Sequence, residues 1–166
     1  MAKIIVSRVI KAPVHRVWEA LDDFGGIYKF NPNLKRSYIT GDSENNKGMG
    51  CSRQCDMKDG KNWVRERIID YKPNKSMRLN IYDGTMPFKS AWADMYLKEE
   101  KEGTKFTLVM NFVPKFGPLG AIMAIIMKPV MKKMLDKLMI GCEEYVIDGK
   151  LANPVVIPPA TVPIVE

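Results

Sequence analysis

Few residues in this 166-residue chain have the chemistry for catalysis. There is one histidine, His15, and there are three cysteines, Cys51, Cys55 and Cys142. A nucleophilic site needs a base beside the nucleophile and a third group to orient that base. No Ser/His/Asp or Cys/His arrangement of this kind can be built. His15 lies opposite the apolar stripe of Val17 and Leu21, which puts it on the outward face of a helix. Cys51 and Cys55, on one strand, would sit about 13 Å apart. That is too far for a disulfide or a shared metal. The sequence therefore predicts no metal and no cofactor. Three thiols, an odd number, with no leader-like N-terminus predict a reduced, cytoplasmic protein. The carboxylates pair nowhere with an acid–base logic, and no glycine-rich phosphate loop is present. No catalytic residue is assigned. Chemistry, if there were any, would fall to Glu66, Arg53 or a tyrosine such as Tyr82.

One ionic pair stands apart. Asp59-Gly60 is a two-residue hairpin turn. Around it Cys51 faces Ile68, Arg53 faces Glu66, Cys55 faces Val64 and Met57 faces Asn62. The other parity pairs Ser52 with Arg67, Gln54 with Arg65 and Asp56 with Trp63. The first face is mainly apolar and is taken as the inner one. A slip of one residue would scramble the pattern. Arg53 and Glu66 thus stand opposite each other inside an apolar wall, where an isolated charge is very unfavourable. Two readings remain open: a satisfied ion pair of the sheet, or a polar handle in a ligand cavity.

The elements that must position this pair follow from periodicity. Ile4–Ile10 reads as a strand and 13–23 as an amphipathic helix, opened by Pro13 and stopped by Gly25-Gly26. A second short helix is read over 27–30, ended by Asn31-Pro32-Asn33. Strands are predicted at 34–40, 50–58, 62–72, 76–83, 90–99 and 104–113, separated by turn chemistry. In the last hairpin Leu97 meets Phe106, Met95 meets Leu108, Ala93 meets Met110 and Ala91 meets Phe112, all apolar. A helix then runs from Pro118 to about Ile147, with Pro129 inside it to bend it. Its stripe is Met123, Met127, Met131, Met134, Leu138, Cys142 and Tyr145; with Met139, five of the twelve methionines lie in this helix. Methionine is flexible and suits either plain core or an adaptable pocket wall. Ile122, Ile125, Ile126 and their neighbours make the first half apolar nearly all round. Such a surface suits a cavity cover, a lipid contact or a dimer contact.

Composition sets the outer limits. With 46% hydrophobic and 27% charged residues the chain is of globular type, not disordered or fibrous. A chain of this length buries about 70% of its surface, enough for a core without staples. The net charge of +7 comes from scattered residues. The one cluster, Lys128, Lys132, Lys133 and Lys137, reads as a solvated helix face. No zinc-finger or RNP-type motif is present, so no nucleic-acid partner is expected. Residues 151–166 hold four prolines and form an apolar tail. The tail would dock on the chain's own surface or on a second subunit, which makes a homodimer one reading.

The order of elements resembles the helix-grip fold of the START/Bet v1-like (SRPBCC) superfamily. The segment Ile10-Lys11-Ala12-Pro13 through Val17-Trp18, Leu21 and Asp23-Phe24 resembles the superfamily's opening motif. Gly50 and Arg53, through Asp59-Gly60 to Val64-Arg65-Glu66-Arg67-Ile68, resemble the hairpin of its polyketide cyclase/dehydrase and lipid-transport-like branch. Leu97 through Gly103-Thr104 is similar to its later hairpin. The chain departs where that branch often reads Trp-His-Pro, having Phe30-Asn31-Pro32. The resemblance implies an α+β domain over 1–150: a curved antiparallel sheet of about seven strands around a long C-terminal helix, with two short helices after strand 1. It also implies a cavity that binds or transports a small hydrophobic ligand (lipid, sterol or polyketide-like). A cyclase or dehydratase in the same cavity is the alternative, and a membrane-surface or protein-interaction adaptor a second. The expected walls are Phe30; Cys55, Met57, Val64 and Ile68 of the first hairpin; Met95, Met110 and Phe112 of the last; and Met123, Met127, Met131 and Met134 of the helix. Arg53 and Glu66 would orient a polar end. The expected cavity volume is about 300–1,000 Å³.

Overall fold

The computed structural model describes residues 1–41, 46–115 and 117–153; for 117–119, 121, 123 and 124 it describes the backbone. The tail beyond Asn153, and with it the dimer expectation, lies outside the described residues.

Seven strands form one antiparallel sheet in the order β1-β7-β6-β5-β4-β3-β2. They are β1 (Ala2–Ile10), β2 (Leu34–Ile39), β3 (Ser52–Met57), β4 (Trp63–Lys72), β5 (Ser76–Gly84), β6 (Phe88–Glu100) and β7 (Gly103–Pro114). The sheet curves into a half-barrel around the C-terminal helix α2 (Gly117–Asp148). Between β1 and β2 lie α1 (Val14–Asp22) and a 3-10 helix, Phe24–Lys29. The α+β grip architecture is the expected one. The N-terminal strand forms one edge of the sheet by pairing with β7, so the first and last strands are neighbours.

The two hairpin registers match the sequence reading. Arg53 pairs with Glu66 and Cys55 with Val64 across β3–β4. Ala91 pairs with Phe112, Ala93 with Met110, and Met95 with Leu108 across β6–β7. Side-chain alternation fixed both, because only one register puts the apolar set on one face. The convex parity is polar and laced: Arg65 donates to Gln54, and Arg67 donates to Ser52. Between β4 and β5 the register shifts twice, at Arg65/Glu66 and Ile68/Asp70. Such bulges bend a strand and increase its twist.

One local expectation is corrected. Gly25-Gly26 does not stop a helix; both lie inside the 3-10 helix. A Cβ on Gly26 would stand 2.0 Å from Asp23 Oδ2, so the absent side chain is what lets Asp23 fold over the turn. Asp23 in turn accepts from Lys29 Nζ at 2.5 Å.

Helix α2 runs on through Pro129. Leu138, Met139, Cys142 and Val146 are buried in the core. Its second half touches the chain before β2 without a spacer: a Cβ on Gly141 would lie 2.0 Å from the Phe30 carbonyl oxygen. Asn33 Nδ2 donates to the Met134 carbonyl at 2.8 Å and fixes the same contact. Beyond α2, the Ala152 N–H donates to Lys29 O at 2.7 Å, and Asn153 Nδ2 to Tyr28 O at 2.6 Å. Among the described residues no helix is long and apolar enough to cross a membrane.

The Gly141 contact gives a direct test. Gly141→Ala must push α2 away from a backbone atom that cannot rotate aside. The expected loss is about 1–3 kcal/mol of unfolding free energy, as for other overpacked sites, read by urea denaturation.

Candidate ligand-binding site

Between the concave face of the sheet and α2 lies a hollow of about 130 Å³. Its floor comes from alternate residues of the inner strands: Cys55 and Met57 of β3, Val64 and Glu66 of β4, Leu79 and Ile81 of β5, Ala93 and Met95 of β6, Leu108 and Met110 of β7. Small Ala93 opposite Met110 leaves the space that two large residues would fill. Its roof is Met131, Met134, Leu135 and Leu138 of α2. Six methionines (Met57, Met86, Met95, Met110, Met131, Met134) line it. An adjoining hollow of about 220 Å³ shares Val64, Ile81, Met86 and Phe88 and adds Asp83, Lys89 and Lys115.

One end is ionic. Arg53 is only 3% exposed, and the Glu66 side chain 12%. Arg53 donates to a single oxygen of Glu66, Oε2, from both Nε (2.7 Å) and Nη2 (2.6 Å). Nη1 donates to the Phe24 carbonyl at 2.9 Å, and the guanidinium carbon lies 4.0 Å from the centre of the Phe24 ring. The cation therefore has an anion, a carbonyl and a π face. Burial is the largest single influence and would lower the arginine's pKa, but the charge and hydrogen bond of Glu66 together with those of Cys55 outweigh it, and the net shift is upward. The Cys55 thiol lies 3.8 Å from the same Oε2. Burial pushes its pKa up; Arg53 opposes this and Glu66 adds to it. Cys55 thus stays a neutral thiol and is no nucleophile.

The second carboxylate oxygen of Glu66 is the open group. Oε1 accepts no hydrogen bond from any described residue. It is not sealed in, either: among the described residues the one fully buried side-chain polar atom without a partner is Thr40 Oγ1.

The sequence-predicted walls divide. Arg53, Cys55, Met57, Val64, Glu66, Met95, Met110, Met131 and Met134 line the hollow. Phe30, Ile68 and Phe112 are packed in the core behind it, each at most 1% exposed. Met127 is half-buried and lies outside the lining. The Met123 side chain lies outside the described residues. Tyr82 is exposed, lies beneath Arg67 and borders the adjoining hollow rather than the one under α2. His15 is exposed on α1. The expected walls left out Leu79, Ile81, Met86 and Phe88 among others: Met77, Leu79 and Ile81 alternate plainly with Arg78 and Asn80, but alternation marks an inward face without separating solid core from hollow, and β6 begins at Phe88, two residues ahead of the strand read at 90–99. The sequence reading also took Asn31 and Asn33 as breakers only. Both border the hollow, and Asn31 Oδ1 holds Asn33 Nδ2 at 2.9 Å. Among the described residues no group of three His, Cys, Asp or Glu side chains is placed to hold a metal ion.

The chain belongs to the polyketide cyclase/dehydrase and lipid transport family, whose model matches residues 1–139. Solved structures with the same fold include TTHA0849 from Thermus thermophilus (19% identical, covering 89% of this chain and 99% of that one, TM-score 0.73). A START superfamily protein from Mycobacterium smegmatis is 14% identical over 87% of this chain and 96% of that one, TM-score 0.71. The Zhui aromatase/cyclase from Streptomyces sp. R1128 is 15% identical over 89% and 97%, TM-score 0.69. No curated protein matches this sequence closely enough to count as a relative.

Two outcomes are expected. Arg53→Met strands the Glu66 carboxylate and should lower stability by about 3–5 kcal/mol, while Arg53→Met with Glu66→Leu should recover most of that loss; thermal and urea unfolding of both variants read it. Burial also raises the Cys142 thiol from 9.0 to about 12. A raised folded pKa favours the protonated form, so this stability is intact below pH 9 and drains away as pH climbs towards 12. The melting temperature should fall over that window. At pH 8, a thiol reagent should leave Cys55 and Cys142 unlabelled until the chain is unfolded.

Proposed function

We propose that this chain binds a small, mostly apolar molecule carrying one hydrogen-bond donor, with the apolar body under α2 and the donor on Glu66 Oε1. The observation that carries the reading is a carboxylate oxygen without a partner at the edge of an otherwise oily hollow. Arg53 already donates from Nε, Nη1 and Nη2 within the protein, which favours Glu66 over Arg53 as the ligand's polar contact. The ion pair is electrically balanced, which favours a neutral ligand such as an alcohol or phenol. Family membership supports the hydrophobic ligand class.

At about 130 Å³ the hollow is smaller than ligand pockets of about 300–1,000 Å³. It suits one or two rings or the end of a chain. The methionines supply the means to enlarge it, since unbranched thioether side chains change rotamer at small strain. The cyclase or dehydratase alternative would have to use Glu66 on a bound chain, with its charge already committed to Arg53.

A matched pair of probes tests the reading. 2-Naphthol should bind about tenfold to a hundredfold more tightly than naphthalene, the worth of a hydrogen bond to a charged acceptor. Fluorescence titration measures both. Leu135→Trp, which fills the roof, should weaken both probes. Equal affinity for the two, or no binding of either, would defeat the proposal. Turnover of a polyketide substrate lost in Glu66→Gln with binding retained would establish the enzyme instead.

A further inference from the structure

The outward face of α2 is divided along its axis. In the first half Ile122, Ile125, Ile126 and Val130 are 59%, 72%, 66% and 61% exposed. At about 100° per residue they fall, with Pro129, on the side of the helix opposite Met131 and Leu138. They span about 12 Å of its length. The next turns carry Lys132, Lys133 and Lys137, and Lys128 flanks the patch; all four are exposed. Lys132 pairs with Asp136, while Lys128, Lys133 and Lys137 have no carboxylate partner among the described residues. From Lys115 to Leu135 the sequence holds no acidic residue.

We propose that this face is a docking surface for an anionic lipid bilayer. The isoleucines and Val130 enter the boundary between headgroups and acyl chains, and the lysines meet headgroup phosphates. Charge complementarity selects this occupant. A second copy of the chain, seated symmetrically, would bring one lysine collar against another. The chain's own segment beyond Asn153 offers a single acidic side chain, Glu166, against four lysines. The inference is independent of the ligand proposal, because none of the docking residues lines the hollow.

The test uses the full chain with phosphatidylcholine vesicles, with and without phosphatidylglycerol. Cosedimentation should occur with the anionic vesicles at low salt and be weaker at high salt. Lys132→Glu with Lys133→Glu should weaken it about tenfold or more. Ile125→Asp with Ile126→Asp should abolish it while leaving the melting temperature and 2-naphthol binding unchanged. Ile126→Cys carrying an NBD label should emit as a water-exposed dye in the free chain and shift blue on the vesicles. No sedimentation, or sedimentation that survives the aspartate variant, would overturn the proposal. So would a label already blue in the free chain, since the patch would then be covered by the chain itself or by a second copy.

Discussion

The fold is organised around one buried cation. A guanidinium inside an apolar sheet is tolerable only if every direction it points in is answered. Arg53 is answered by the neighbouring strand through Glu66 and by the turn after α1 through the carbonyl and ring of Phe24. The ion pair therefore does more than offset a charge. It ties β3 and β4 to the 3-10 helix, and that helix leads into the segment against which α2 rests. The pair lies at the end of the hollow because it is where sheet, turn and helix converge.

The same arrangement explains how an oily space can exist without a void that weakens the core. Its walls combine small residues, Ala93 above all, with methionines that can lean into the gap or away from it. An empty apolar cavity forfeits contacts on its lining. A methionine wall limits that loss when nothing is bound, which is consistent with the small volume. Specificity then rests on very few polar atoms, and the oxygen of Glu66 that Arg53 does not engage is the charged one among them.

Much of this was legible in the sequence, and the reasons are particular. The β3–β4 register could be read because Asp59-Gly60 fixes the turn and because Cys51, Cys55 and Met57 share a parity that Ser52, Gln54 and Asp56 do not. The Arg53–Glu66 contact followed from that register alone. What could not be read depends on backbone irregularity or on long-range approach. Leu79 and Ile81 alternate with Arg78 and Asn80, so their inward face was legible, but which inward residues border space rather than solid core depends on how the bulged sheet curves. The role of Asn33 depends on a carbonyl of α2 that is a hundred residues away in the chain. That Arg53 spends its donors on Phe24 as well as Glu66 depends on a turn whose geometry Gly26 permits and whose sequence reads as a stop.

Helix α2 is held unevenly, and this gives it two mechanical characters. From Met134 onward it is clamped by Asn33 and pressed onto Phe30 at Gly141. One turn earlier Pro129 supplies no N–H, so the carbonyl of Ile125 lacks its usual partner in the ladder. A beam clamped along its second half, with a missing rung just ahead of the clamp, hinges most readily at Pro129, so a load on Val130 or Ile126 would be felt first at that joint.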